Sequence, residues 1–342
     1  MNIYVKRRII FVSLLILMVL IILSAFFGEK AVIKLEGKEK TKVSLLLDKN
    51  GSIYFEENEN FMKYTIECGE SLKKLNYQEN KSSIDLTIDK KDIAKLGLNS
   101  DRQLDDSLVS AKESADTYLI SFKKKFDKNS YINLFNDTKN KIIVLISKKS
   151  EPYKYKVVVD PGHGGNDIGT PFGKVYEKDL TLKISKYLEA YLKYNECNVV
   201  MTRDKDKWVD LKERPKIAND ENADLLVSVH INSNKENIYK GIDTYYYDLD
   251  GFQKAERLKL AETVQKEMLK SDNWKDKGTV RQNLAVLRLS NMPSVLVECG
   301  FLSNSEDRDK LLKDETLKNF GINISNGVLN YLNQKTKSIQ SK

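Results

Sequence analysis

Hydrophobic and polar positions divide the chain into three stretches with different rhythms. From Ile9 to Phe27 every residue is apolar except Ser13 and Ser24. At about 1.5 Å per residue this run spans roughly 28 Å as a helix, enough to cross a bilayer core. Lys6, Arg7 and Arg8 precede it, which predicts a cytoplasmic amino end. Ser24-Ala25-Phe26 is a poor cleavage site, so the expectation for residues 1–30 is a short cytoplasmic stub and an uncleaved transmembrane signal-anchor. Everything from about Gly28 is then expected outside the membrane, on the cell wall side.

Between Ala31 and Lys148 the pattern is β-rich. Lys42–Leu47 and Ser52–Phe55 flank a turn ending in Asn50-Gly51 and read as a hairpin. Ser83–Asp89, Thr117–Phe122 and Lys141–Ile146 read as strands, whereas Asp92–Leu96 and Leu104–Ala115 read as helical or irregular. No histidine and no catalytic constellation occurs here, so residues 31–148 are expected to form an accessory domain that binds a partner or the wall. Residues 149–154, within the charged, proline-containing Ser147–Lys156, read as a linker.

From 155 to 334 strands alternate with helices. Val157–Val159, Cys197–Thr202, Leu225–Val229, Thr244–Tyr247 and Val295–Val297 are strand-like. Asp179–Tyr194 is amphipathic, with Leu180, Ile184, Leu188 and Tyr191 on one face. Arg214–Glu221 and Lys254–Lys270 are helical, and Leu317–Leu332 closes the domain with Leu317, Phe320, Ile324 and Val328 on one face. Short apolar strands separated by helices predict an α/β fold with a largely parallel twisted sheet flanked by helices. Residues 335–342 form a polar tail.

Composition adds limits. The chain has 342 residues, enough for two domains, with 57 Lys and Arg against 49 Asp and Glu, a net charge of +8. Outside the membrane that charge suits anionic wall polymers rather than nucleic acid. Cys68, Cys197 and Cys299 are widely spaced and form no CxxC pair or disulfide framework; Cys197 and Cys299 read as small buried hydrophobes.

The chemistry concentrates at strand ends. The chain has only two histidines. His163 follows Val157–Val159 in DPGHGG, and His230 follows Leu225–Val227 in SVHINSN. Glu298 ends the run VLV. Ligands of open α/β sheets bind beyond the carboxyl ends of the strands, so these residues converge on one edge. Neutral imidazole is a common zinc ligand, and a hydrolytic zinc takes three protein ligands with one open position. Spacing alone leaves Asp160, Asp167, Glu177 and Glu298 open as the third. Glu177 opens the helix after the histidine loop, and Glu298 suits a general base. Asp160 and Asn232 lie close enough in sequence to orient an imidazole, while Asn283 and Leu284 are candidate substrate-groove residues. Arg203 and Arg214 read as structural ion-pair residues.

Taken in order, DPGHGGNDIG, Glu177, TRDKD with LKERPKIAN, SVHINSN and VLRLSNMPSVLVECGFLSN closely resemble the zinc-dependent N-acetylmuramoyl-L-alanine amidases of the amidase-3 type. The resemblance covers about Tyr155 to Leu332. It implies a Zn2+ held by His163, Glu177 and His230, with Glu298 as the catalytic glutamate. It also implies peptidoglycan as partner and hydrolysis of the amide between N-acetylmuramic acid and L-alanine of the stem peptide. Some members carry an autoinhibitory helix after the second histidine; Asn232 to Thr244 is too short for one. Residues 31–148 are faintly similar, in pattern and position, to the β-rich AMIN modules that precede some amidases. The competing reading is a catalytically silent wall-binding or amidase-activating relative, against which the complete set of His163, Glu177, His230 and Glu298 speaks.

Overall fold

A computed structural model describes residues 42–44, 53–69, 71–93, 109–127, 129–136 and 140–340. The anchor expected at Ile9–Phe27 lies outside these residues, and no helix among those described is long and apolar enough to cross a membrane. The chain packs as two units that divide between Pro152 and Tyr153.

The first unit is built from β1 (Lys42–Ser44), β2 (Ile53–Glu57), β3 (Phe61–Glu67), β4 (Asn76–Glu79), β5 (Ser83–Asp89), a one-turn helix α1 (Lys90–Ile93), β6 (Val109–Glu113), β7 (Thr117–Lys123), β8 (Tyr131–Asn136) and β9 (Asn140–Ser147). Two antiparallel sheets result, ordered β1-β2-β3-β9-β8 and β4-β5-β7-β6. Strand alternation sends Met62, Tyr64 and Ile66 of the first sheet, and Ile84, Leu86, Ile88, Ile120 and Phe122 of the second, into one shared core. The rings of Tyr64 and Phe122 meet across it at 5.0 Å. The expected hairpin pairs β1 with β2. The expectation of helix or irregular chain over Leu104–Ala115 is corrected at its end, because Val109–Glu113 pairs with β7. There Val109 is buried in the core, and cross-strand pairing overrides the segment's weak helical signal.

The second unit contains β10 (Lys156–Pro161), a small hairpin of β11 (Pro171–Phe172) and β12 (Val175–Tyr176), α2 (Glu177–Tyr194), β13 (Asn198–Met201), α3 (Glu213–Asp220), β14 (Leu225–Asn232), β15 (Ile242–Tyr246), α4 (Lys254–Met268), β16 (Asp276–Arg281), α5 (Ala285–Arg288), β17 (Ser294–Phe301), α6 (Ser305–Leu311) and α7 (Asp314–Gln340). Six strands form one sheet, ordered β13-β10-β14-β17-β15-β16. Four of its pairings are parallel and the β15–β17 pairing is antiparallel, so the sheet is mixed. The reversal follows from the link 233–241, which carries no helix. A parallel return needs a crossover of about a dozen residues or more.

The two faces of this sheet differ. Odd-numbered side chains (Val157, Val159, Val227, Val229, Val295, Val297) pack against Ile184 and Leu188 of α2, Leu260 and Val264 of α4, and Phe320, Ile324 and Val328 of α7. Val158, Leu226 and Leu296, on the even-numbered face, pack against Ala218 of α3 and Val286 and Leu287 of α5. Toward the carboxyl ends of the strands the even positions turn polar, as Asp160, Ser228, His230 and Glu298. Alternation therefore puts the chemistry on one face, at one end. Cys68, Cys197 and Cys299 are buried free thiols.

Candidate metal centre and active site

The site starts where β10 runs out. Beyond Pro161 the backbone turns through Gly162 and enters the left-handed region at His163, with φ 60°. Such a conformation costs a non-glycine residue on the order of 1–3 kcal/mol and persists only where its surroundings impose it. Two arginines impose it here. Arg203 donates from Nε to the Pro161 carbonyl (3.0 Å) and from Nη2 to that of Gly162 (2.8 Å). Arg214 donates from Nη1 to Pro161 (2.7 Å) and from Nη2 to the His163 carbonyl (2.9 Å). Gly162 is required for a second reason. A Cβ there would fall 2.5 Å from Cε1 of His230, so only glycine lets that ring lie against the turn.

Glu177, the first residue of α2, reaches back between the two imidazoles. Its Oε1 stands 3.1 Å from Nε2 of His163 and 3.1 Å from Nδ1 of His230. The same oxygen accepts from the Ile231 amide (3.0 Å), and Oε2 accepts from that of Thr170 (2.9 Å). One ligand atom from each of His163, Glu177 and His230 lies within 4.8 Å of the other two. Tetrahedral zinc with bonds of about 2.0–2.2 Å sets neighbouring donors about 3.3–3.5 Å apart, so the spacing and the two-nitrogen, one-oxygen donor set fit that ion. Both imidazoles keep solvent access, at 24% and 22% side-chain exposure, which suits a position left open for water or substrate. Asp167 Oδ2 lies 2.9 Å from Nδ1 of His163 and fixes which ring nitrogen faces Glu177.

Electrostatics agree with a cation site. Burial acts to raise the Glu177 carboxyl, but the hydrogen bonds and charges of His163 and His230 hold it well below the ordinary carboxylate range. Burial lowers His163, and Glu177 with Asp167 more than reverse that, leaving it raised. A carboxylate kept ionised between two ring nitrogens is a donor set ready for a divalent metal.

Glu298 sits beside this cluster. On the parallel strands β14 and β17 it is the register partner of His230. Its Oε2 is buried without a hydrogen-bond partner. Burial, then the charges of Glu177 and Asp243, push its pKa well above the ordinary glutamate value. Buried carboxyl groups of this kind are poised for proton transfer near neutral pH.

The other sequence candidates are placed as follows. Asp160 is fully buried and accepts from Thr202 (2.6 Å), Arg214 (2.8 Å) and Ser228 (2.7 Å), so its hydrogen bonds hold Arg214 rather than an imidazole. Asn232 accepts from the Ser233 amide (2.8 Å) and orients neither imidazole. Asn283 accepts from Arg288 at 2.5 Å, and Leu284 packs on the even-numbered face. Arg214 makes an ion pair with Asp160, while Arg203 spends its hydrogen bonds on carbonyls and Thr181. Sequence reasoning missed Asp167 as the partner of His163, although the i, i+4 spacing was visible. It also missed Asp243, which no local signal marks.

Comparison with known proteins agrees with the geometry. Residues 157–330, half of the chain and all within the second unit, match the amidase-3 family of N-acetylmuramoyl-L-alanine amidases. A sporulation-specific N-acetylmuramoyl-L-alanine amidase of Bacillus subtilis is 32% identical over 185 residues, which is 54% of this chain and 70% of that protein. A germination-specific amidase of the same organism is 31% identical over 202 residues, covering 54% of this chain and 84% of that protein. Among solved structures, an N-acetylmuramoyl-L-alanine amidase from Clostridium difficile 630 is 41% identical with a TM-score of 0.50, covering 53% of this chain and 98% of that one. With the two imidazoles, Glu177 and Glu298 brought to one end of an amidase-3 α/β sheet, this chain belongs to the N-acetylmuramoyl-L-alanine amidase family.

Proposed function

We propose that the protein is a zinc-dependent amidase that acts on peptidoglycan from the outer side of the membrane, to which Ile9–Phe27 anchors it. The reaction is hydrolysis of the amide between N-acetylmuramic acid and L-alanine of the stem peptide. One observation carries the reading: Glu177 Oε1 lies 3.1 Å from a nitrogen of each of the two histidines, and Glu298 is the strand neighbour of the second.

Each residue has a task in this reaction. His163, Glu177 and His230 would hold the ion, and Asp167 keeps the His163 ring in the required tautomer. A bound zinc would polarise the scissile carbonyl and make a water acidic enough to react near neutral pH. Glu298 takes a proton from the water as its oxygen bonds to the carbonyl carbon, and passes that proton to the nitrogen as the C–N bond breaks. The high affinity of Glu298 for a proton, imposed by burial, favours the first transfer. Arg203 and Arg214 keep the turn that carries His163 in place. The net charge of +8 supports association with anionic wall polymers.

Metal analysis of the purified full-length chain tests the cofactor. One zinc per chain is expected, with retention lost in His163→Ala; a chain that binds no zinc contradicts the reading. For the anchor, alkaline washing of membranes is expected to leave the protein in the pellet, and release into the wash contradicts it.

A further inference from the structure

Four strands carry a row of polar side chains across the face that holds His230 and Glu298, which in β15 and at Lys277 is reached by odd-numbered residues. His230 is paired with Glu298, and Glu298 with Asp243. In β16 the register steps from Asp276, opposite Ile242, to Thr279, opposite Thr244, so Lys277 lies in the bulge beside Asp243. Neighbouring strands lie about 4.8 Å apart, which puts Lys277 two strands, or about 10 Å, beyond Glu298 on the side away from His163.

The proposed reaction gives this row a direction. Glu298 must reach the nitrogen that leaves, while the carbonyl faces the His163, Glu177 and His230 cluster. Whatever is attached to the nitrogen therefore continues past Glu298, over Asp243 and toward β16. That leaving group is the stem peptide, and a peptide brings at least one carboxylate.

Lys277 is prepared to meet it. Its Nζ lies 5.1 Å from the ring centroid of Phe301 and 6.0 Å from that of Tyr239. The rings attract the ammonium by its charge and leave its N–H donors free for a ligand. Two neighbouring lysines are instead committed to carboxylates: Lys240 to Glu306 (2.6 Å) and Lys178 to Asp206 (2.7 Å). Lys277 also acts on Asp243, whose buried carboxyl it pulls down against the larger effect of burial. Tyr239, at 42% exposure, keeps apolar surface beside the lysine open to solvent.

We infer that the stem peptide leaves across β15 and β16, and that Lys277, seated on Phe301 and Tyr239, binds a carboxylate of that peptide and selects acidic leaving groups. This assignment rests on the amidase reading and deepens it.

A binding experiment separates the two. The full-length Glu298→Gln protein is titrated calorimetrically with a muropeptide bearing free stem carboxylates, and with the same molecule after amidation of those carboxylates. The free-carboxylate form is expected to bind about tenfold more tightly, as one charge-assisted hydrogen bond provides, with the gap shrinking as salt rises. Adding Lys277→Gln is expected to close the gap and adding Lys277→Arg to preserve it, at an unchanged melting temperature. In the otherwise unsubstituted protein, Lys277→Gln should raise KM for the acidic substrate while kcat holds. Equal affinity for the two muropeptides, or a gap that survives Lys277→Gln, overturns the assignment of Lys277 and leaves the amidase reading intact. Failure of the unsubstituted protein to cleave either muropeptide overturns the amidase reading, and this assignment with it.

Discussion

Asp243 and Glu298 stand opposite one another on the antiparallel strands β15 and β17, each with one buried carboxyl oxygen that lacks a hydrogen-bond partner. Two carboxyl groups in that relation resist ionising together. Burial is the largest cause that raises both, and the Asp243 charge adds to the effect on Glu298. As a base Glu298 works in its ionised form, so activity rises with pH through its pKa. Removing the negative charge opposite lowers that pKa. Asp243→Asn is therefore expected to move the acidic limb of the kcat/KM profile to lower pH. A limb that stays in place, or moves upward, would show that Asp243 does not act on the base.

Glu298→Gln separates chemistry from metal holding. The substitution keeps the shape of the side chain and removes proton transfer, so kcat is expected to fall by about 10²–10⁴. Zinc content should remain at that of the parent protein. Loss of the metal along with turnover would make Glu298 a ligand.

The contact of Asp167 with Nδ1 of His163, at 2.9 Å, predicts an effect on affinity without loss of a ligand. Carboxylates that orient metal-bound imidazoles are typically worth 10–100-fold in binding. Asp167→Asn should weaken zinc binding by about that factor in competition with a chelator, and Glu177→Ala should weaken it further. Unchanged zinc retention in Glu177→Ala would point to another carboxylate.

How far the sequence carries the account can be judged from particular residues. The apolar runs Val157–Val159 and Leu225–Val227 state the α/β rhythm openly, because strands buried on both faces need uninterrupted hydrophobic side chains. β16, with the sequence DKGTVR, escapes the same reading; as an edge strand it is only partly buried and has no apolar run. The reversal of β15 follows from a short link rather than from its own residues. In the site, each histidine is marked by its position at a strand end. Spacing could not choose the third donor among Asp160, Asp167, Glu177 and Glu298, since that choice depends on where each carboxylate turns in three dimensions. In the fold Asp160 turns to Arg214, Asp167 to the far nitrogen of His163, and Glu177 to both imidazoles. Asp243 and Lys277 gain meaning only from long-range register.

Arg214 predicts a stability effect with a pH signature. It is the ion-pair partner of Asp160 at 2.8 Å, and both side chains are almost wholly buried. Burial raises the Asp160 carboxyl, but the charge of Arg214 and the hydroxyls of Thr202 and Ser228 bring it below its ordinary value. A depressed carboxylate stabilises the fold above its unfolded pKa of about 3.9, and that contribution fades as pH falls. Arg214→Ala strands the charge and is expected to cost about 3–5 kcal/mol in denaturant unfolding at neutral pH. The difference from the parent should narrow as pH falls, because burial without the guanidinium raises the Asp160 carboxyl of the variant and lets it take up a proton. A loss independent of pH would assign the cost to packing alone.

The central claim is that two imidazoles and a carboxylate hold a metal which, with Glu298, cuts one particular amide. The most direct test is to digest purified peptidoglycan with the full-length protein and identify the newly freed amino ends. The account predicts free L-alanine amino termini that disappear on chelation and return with zinc. Termini from elsewhere in the stem peptide, or no new termini with zinc restored, would contradict it.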